Sequence, residues 1–141
     1  FQILHAYGRK NDAPEPHDHY TAVPYIDDME AAYAVADVVV CRSGAMTVAE
    51  NSAAGIPAIY IPLPHGNGEQ GLNSAHLVDA GAALRIDDAA LSGDVLVDKL
   101  LPLVEPEARA TMRAALKDSG AGSVAEDLAA RIAAAAGKDT K

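Results

Sequence analysis

The stretch "DVVVCRSGAMTVAE", residues 37–50, runs from a continuous apolar segment into a turn that carries an arginine, a serine and a glycine. Continuous valine is typical of a strand that is buried on both faces in a parallel sheet. The residues "TVAENSAA" that follow have helical spacing, and Gly55 and Pro57 close them as helix stop signals. The stretch therefore predicts one strand–turn–helix unit with a polar turn.

The same alternation of strand and helix continues along the chain. From Leu91 onward the sequence is helical, with breaks at Pro102, at Pro106 and in "SGAGS", residues 119–123. We therefore predict an α/β fold, a Rossmann-like parallel sheet with flanking helices, in which residues 1–90 form the βα units and residues 91–141 the C-terminal helices. The predicted strands lie in "FQILHAY", the proline-broken "TAVPYI", "DVVVC", "AIYIP" and "AALRI", and the helices in "DDMEAAYAVA", capped by Asp27 or Asp28, "TVAENSAA" and "QGLNSAHLVDA".

Composition narrows the classes of function. The chain has 141 residues and a formal net charge of -9, which argues against a nucleic-acid partner because such a partner needs a basic surface. Cys41 is the only cysteine, so no intramolecular disulfide forms, and we expect it to be a small core residue rather than a nucleophile. The "HDH" at residues 17–19 lacks further spaced ligands, so we predict no metal and no cofactor.

Polar clusters follow three of the predicted strands, in "YIDD", "RSGAMT" and "PHGNGEQ". In an open parallel sheet, the loops at the carboxyl ends of the strands converge on one crevice. The helix after Gly44 presents N–H groups with a partial positive charge, which is an anion site, and Thr47 adds a hydroxyl donor. Arg42 either contacts the anion or forms a buried ion pair that holds the turn. Glu50 lies one helical turn further on and can accept hydrogen bonds from sugar hydroxyls, so a diphosphate joined to a ribose satisfies the whole pattern.

These residues carry a resemblance to a known family. The segment from "YIDDMEAAYAVADVVVCRSGAMTVAE" to "LVDAGAA" resembles the C-terminal, donor-binding domain of the MurG family of bacterial N-acetylglucosaminyltransferases. The resemblance implies the C-terminal half of a GT-B glycosyltransferase. It also implies that the chain lacks the first strand and glycine-rich loop of that half, together with the N-terminal acceptor domain.

The resemblance also implies roles for individual residues. It places Tyr25 over a uracil base, the backbone of Ile26 on the base edge, Glu50 on the ribose hydroxyls and Gln70 on the sugar. This chain has Glu69 where many members of the family have glutamine, a departure that argues against a direct sugar contact there. The position of His65 at the mouth of the glycine-rich loop, rather than the resemblance, makes it a candidate for shaping that loop or contacting the donor. The predicted substrate-binding residues are Tyr25, Ile26, Arg42, Ser43, Gly44, Ala45, Met46, Thr47, Val48, Ala49, Glu50, Glu69, Gln70 and Asn73, with no catalytic residue in the chain.

The function implied by the resemblance is transfer of N-acetylglucosamine from UDP-N-acetylglucosamine to lipid I, with inversion, to give lipid II for peptidoglycan. The expected location is the cytoplasmic face of the cell membrane, with peripheral attachment and with lipid I held by the N-terminal domain. We expect the chain alone to be inactive. Two alternatives stay open: the donor-binding subunit of a two-chain glycosyltransferase, and a nucleotide-binding module without catalysis.

Overall fold

The computed structural model describes residues 2–64, 68–123 and 129–134, and His65 lies outside them. The chain divides into two compact units, Phe1–Ala36 and Asp37–Lys141. The predicted division near residue 90 stays a prediction.

The first unit contains two parallel strands and one helix. Strand β1, Ile3–Ala6, pairs with β2, Tyr20–Val23, with Ile3 opposite Tyr20. Strand β2 ends directly before Pro24, the proline of "TAVPYI" from which a broken strand is predicted. Helix α1, Met29–Val35, begins after Asp28, whose Oδ1 accepts a hydrogen bond from the Ala31 N–H at 2.9 Å. Of the two predicted N-caps, Asp28 is therefore the one used.

The second unit is built on three strands, β3, Val39–Cys41, β4, Ala58–Tyr60, and β5, Ala83–Arg85, which form a parallel sheet in the order β3–β4–β5. Because the strands are parallel, the segments that follow them all leave from the same edge of the sheet. The helices are α2, Ala45–Ala53, α3, Glu69–Asp79, α4, Gly93–Leu100, and α5, Pro106–Asp118. Short 3-10 turns occur at Asp88–Ala90, Leu101–Val104 and Ala121–Ser123, and residues 129–134 are helical.

The core of the second unit lies on both faces of β4. All three residues of this strand are buried, and they alternate between two hydrophobic clusters as the period of a strand requires. Ala58 and Tyr60 pack with residues of α2, α3 and α5, whereas Ile59 packs against Leu103 and Met112. Small alanines in these clusters allow helices and sheet to approach closely.

The prediction of a strand buried on both faces is correct for β4 and wrong for β3. Val40 in β3 keeps 39% of its surface exposed. The reason is that β3 is one of the two edge strands of this sheet and has only three residues, so a run of valines does not by itself secure cover on both faces.

Helices form in the described part of the C-terminal region, as predicted. Pro102 is the second residue of a 3-10 turn and Pro106 is the first residue of α5, so both prolines lie in the first turn of a helical segment, where a missing N–H is tolerated. Among the described residues, every helix is too short or too polar to cross a bilayer.

Candidate functional site

The start of α2 is open. Its N-cap is Gly44, no side chain of the described residues caps it, and the Val48 N–H is already bonded to the Gly44 carbonyl at 3.0 Å. The backbone angles of Gly44 are φ −62° and ψ 147°, which any residue adopts. A Cβ there would have Thr47 Oγ1 as its nearest contact, at an ordinary 3.9 Å. Neither backbone nor packing requires glycine here, and a glycine N-cap has no side chain that competes for the N–H groups of the first turn.

Ser43 ties this turn to α3. Its side chain is fully buried, and its Oγ donates to the Gln70 carbonyl at 2.7 Å. In return, Asn73 Nδ2 donates to the Ser43 carbonyl at 3.0 Å. These two hydrogen bonds join the loop after β3 to the segment after β4, which are two of the three predicted strand-end loops. Each side donates one hydrogen bond and accepts the other.

The Gln70 side chain makes a further hydrogen bond, with the backbone of Leu63. The Leu63 N–H donates to Gln70 Oε1 at 3.0 Å, so the amide oxygen is engaged within the protein. The Nε2 group of the same amide is therefore the end that can donate to a ligand. Its helix begins after Gly68, a left-handed residue with φ +74° that no side chain caps, and the neighbouring Glu69 is exposed.

Arg42 forms an ion pair, which was one of its two predicted roles, and its contact with an anion stays a prediction. Its guanidinium donates to the Ile61 carbonyl at 3.2 Å and to the carboxylate of Asp88. The pair was expected to be buried, but 47% of the Arg42 side chain is exposed. Arg42 therefore anchors the turn after β3 to the 3-10 turn after β5, and Asp88, which sequence reasoning missed, is its partner.

The other residues of α2 that were predicted to bind substrate differ in their burial. The Val48 side chain lies in the core and its N–H is used inside the helix, so its assigned contact stays a prediction that the geometry does not favour. Thr47 is half-buried. The exposed residues of this set are Ala45, Met46, Ala49 and Glu50.

A buried asparagine of α2 bonds to two residues of the sheet. Asn51 Nδ2 donates to Cys41 Sγ at 3.4 Å and to the Tyr60 hydroxyl at 3.5 Å. Burial raises the pKa of the Cys41 thiol, and the hydrogen bond from Asn51 offsets this only in part. Burial likewise raises the pKa of the Tyr60 hydroxyl. The protonated thiol packs against the core, which agrees with Cys41 being a structural residue.

Tyr25 and Ile26 belong to the first unit, in the loop after β2. The Tyr25 ring is 56% exposed and carries the Arg9 guanidinium 4.7 Å from its centroid, a cation–π contact. Arg9 also lies 3.7 Å from the Asp27 carboxylate. No sequence signal pointed to Arg9, because it is 16 positions from the ring it covers. The assignment of both residues to a base pocket stays a prediction.

A cavity of about 450 Å³ lies at the other end of α2, away from the open helix start. It is lined by Ser52, Ala53, Gly55, Arg113, Leu116, Lys117, Gly120 and Gly122. None of the predicted binding residues lines it. Within the described part of the chain, no cluster of three or more His, Cys, Asp or Glu side chains could hold a metal ion.

The family model described as the glycosyltransferase family 28 C-terminal domain matches residues 1–132. The chain belongs to this family. It is 58% identical over 131 residues to a UDP-N-acetylglucosamine–N-acetylmuramyl-(pentapeptide) pyrophosphoryl-undecaprenol N-acetylglucosamine transferase of Corynebacterium diphtheriae, covering 91% of this chain and 36% of the relative. The transferase of the same name from Mycolicibacterium smegmatis is 53% identical, with 84% of this chain and 32% of the relative covered.

Solved structures agree with the family. Acinetobacter baumannii MurG superposes with a TM-score of 0.66 at 31% identity, covering 79% of this chain and 34% of that protein. The glycotransferase of kitacinnamycin superposes with a TM-score of 0.64 at 27% identity, covering 92% of this chain and 34% of that protein. The predicted fold class, parallel strands with flanking helices as in GT-B glycosyltransferases, is confirmed. The chain spans about a third of the length of the relatives it matches.

Proposed function

We propose that this chain is the donor-binding part of an inverting glycosyltransferase. In this proposal the transferase moves N-acetylglucosamine from UDP-N-acetylglucosamine to lipid I and so makes lipid II for peptidoglycan. The observation that carries the proposal is the open start of α2, which Ser43 joins to Gln70 at the start of the next helix. The name of the Corynebacterium diphtheriae transferase supports the choice of sugar and of a lipid-linked acceptor.

The chemistry asked of this chain is to hold the leaving group. N–H groups at the start of α2, with the hydroxyl of Thr47, would bind the diphosphate of the donor. As the bond from the sugar to the diphosphate breaks, negative charge grows on the diphosphate. Because these donors are already fixed by the fold, they stabilise that charge without reorganising.

Other predicted residues would recognise the ribose, the uracil and the sugar of the donor. Glu50 would accept hydrogen bonds from the ribose hydroxyls, and Tyr25 with Ile26 would bind the uracil. The Nε2 group of Gln70 would donate to a sugar hydroxyl, since its oxygen is bonded to Leu63. The base that activates the acceptor hydroxyl is proposed to come from an acceptor-binding domain outside this chain.

The proposed partners and location follow from the acceptor. A lipid-linked acceptor places the transferase at a membrane surface, here the cytoplasmic face, with peripheral attachment through the acceptor-binding domain. A chain with net charge -9 does not offer nucleic acid a basic surface.

The test is calorimetric titration of the chain with UDP-N-acetylglucosamine, UDP and ADP-glucose. We expect the two uridine ligands to bind and ADP-glucose to bind at least about tenfold more weakly. Equal affinity for all three, or no binding of UDP-N-acetylglucosamine, would overturn the proposal. A chain that binds UDP but is indifferent to the sugar, with donors varied from glucose to N-acetylglucosamine, would support a nucleotide-binding module instead.

A further inference from the structure

We infer that α4 and the 3-10 turn after it carry a docking surface for a basic amphipathic helix of another protein. The surface consists of an exposed apolar stripe, Val97, Leu101 and Val104, and of an acidic flank, Asp94 and Asp98. None of these residues belongs to the proposed donor site. The inference therefore goes beyond the proposed function.

The three residues of the apolar stripe share one face of a continuous helical segment. Leu101 is the C-cap of α4, with right-handed helical backbone angles, and also the first residue of the 3-10 turn. Val97 lies four positions before it in an α-helix and Val104 three positions after it in a 3-10 helix, and both spacings keep side chains on one side. Val97 keeps 48% of its surface exposed, Leu101 53% and Val104 39%.

The apolar arc of α4 is wider than the core beside it. Leu96 and Leu100 pack against the buried cluster on the sheet. Val97 and Leu101 follow these two residues in the chain, so a rotation of about 100° per residue places them beside the packed side rather than under it. Single apolar side chains on a surface are normal, whereas a contiguous apolar row is typical of an interaction site. The fold covers one part of the arc and leaves the stripe open.

The flank of the stripe is acidic and not neutralised. Asp94 and Asp98 are exposed and lie one turn apart on α4. Among the described residues, neither carboxylate has an ion-pair partner. Lys99 is the single cation of α4, and a rotation of about 200° from Val97 places it on the other side of the helix. The flank therefore attracts a partner that carries lysine or arginine.

The charge of this surface selects its occupant. An anionic membrane is disfavoured, because the carboxylates repel its headgroups. A second copy of the chain is disfavoured, because two chains of net charge -9 repel each other. The stripe is about 12 Å long, from rises of about 1.5 Å per residue in α4 and about 2.0 Å in the 3-10 turn, which is about two turns of a partner helix. A helix with an apolar face and lysines beside it fits both the stripe and the flank.

A designed peptide supplies the chemistry of this partner. The probe is a fluorescein-labelled helix of about 18 residues, or five turns, with leucine on one face and lysine on the other. One control peptide keeps the apolar face and has glutamate in place of lysine. A second control peptide has the composition of the probe in scrambled order. Fluorescence anisotropy at increasing concentrations of the chain gives the dissociation constant of each peptide.

Two variants of the surface are matched by two variants of α3. Leu101→Ser removes an exposed leucine from the stripe, and Leu72→Ser removes an exposed leucine from α3. Asp98→Asn removes one charge from the flank, and Asp79→Asn removes one charge from the end of α3. The second pair changes the net charge equally, so it separates the flank from the general attraction of an acidic chain for a basic peptide. Circular dichroism checks that all four variants fold.

We expect the lysine probe to bind the unmodified chain at least about tenfold more tightly than either control peptide. Leu101→Ser should weaken this binding about fivefold, because the exposed half of a leucine is no longer buried by the partner. Asp98→Asn should weaken it about threefold through loss of one exposed ion pair, and added salt should reduce that difference. Leu72→Ser and Asp79→Asn should each change it by less than about twofold.

Several results would overturn the inference. One is failure of the lysine probe to bind, or equal binding of the three peptides. Equal weakening by the α3 variants is another, since net charge alone would then attract the probe.

Three further results would assign the surface to a different occupant and so also overturn the inference. Phosphatidylglycerol vesicles that bind the chain but not Leu101→Ser would assign it to a membrane. A dimer in sedimentation that Leu101→Ser dissociates would assign it to a second copy. Loss of probe binding when the chain is joined to an acceptor-binding domain would show that the stripe is covered within one polypeptide. The titration with UDP-N-acetylglucosamine tests the proposed function independently of all these results.

Discussion

Replacing Gly44 by aspartate should make the chain more stable and should block the anion site proposed at the start of α2. Gly44 is the N-cap of α2 with backbone angles that an aspartate adopts, and the nearest atom to a new Cβ is Thr47 Oγ1 at 3.9 Å. An aspartate at an N-cap bonds the N–H of the second or third helical residue and interacts favourably with the helix dipole. The new carboxylate would therefore occupy the place proposed for the diphosphate.

The two effects have opposite signs and different sizes. The cap and the dipole together should raise the free energy of unfolding by about 0.5–1 kcal/mol. Binding loses at least one charge-assisted hydrogen bond, worth about 1.5–3 kcal/mol, and gains repulsion between two anions. We therefore expect the affinity for UDP to fall by about 3 kcal/mol or more, which is about a hundredfold or more.

Urea denaturation measures the first effect and calorimetry with UDP the second. Gly93→Asp is the control, because Gly93 begins α4 and a Cβ there meets nothing within 4 Å. It adds the same charge at another helix start and should leave UDP affinity unchanged. A Gly44→Asp chain that is stabilised yet binds UDP normally would refute the placement of the anion, and a destabilised one would show that the helix start is not open.

Three further results are expected. Glu50→Gln should cost roughly 1–3 kcal/mol in UDP affinity and reduce the preference for UDP over its 2′-deoxy analogue, both by calorimetry; if neither changes, Glu50 does not read the ribose. Tyr25→Ala should weaken UDP by about 1–3 kcal/mol through lost stacking, and an unaltered dissociation constant would count against the base pocket. Burial raises the pKa of Cys41 and of Tyr60, so the folded chain keeps these two protons to a higher pH than the unfolded chain does. The free energy of unfolding should therefore decline as the pH rises above 9.0, the ordinary pKa of a thiol. Cys41→Ala should flatten that decline in urea titrations from pH 7 to 10.5, and an equally steep decline in the variant would contradict it.

Local patterns were sufficient to predict most of the secondary structure. Strand and helix follow from the spacing of apolar residues, and their ends follow from residues with a fixed backbone preference, such as Asp28 at the start of α1 and Pro106 at the start of α5. The turn before α2 could be located for the same reason, since a glycine between an apolar strand and a helix is a local signal. Exposure of β3 could not, because it depends on which strand lies at the edge of the sheet.

The amino-acid sequence by itself determined the class of fold, the position of the open turn after β3 and the set of residues near it. The tertiary structure decided what those residues do. Arg42 meets Asp88 across 46 positions, and Ser43 meets Gln70 across 27, so both partnerships arise from the packing of separate βα units and leave no periodic trace in the chain. A side-chain hydrogen bond depends on distances of a few tenths of an ångström, and only the assembled sheet and helices set those distances.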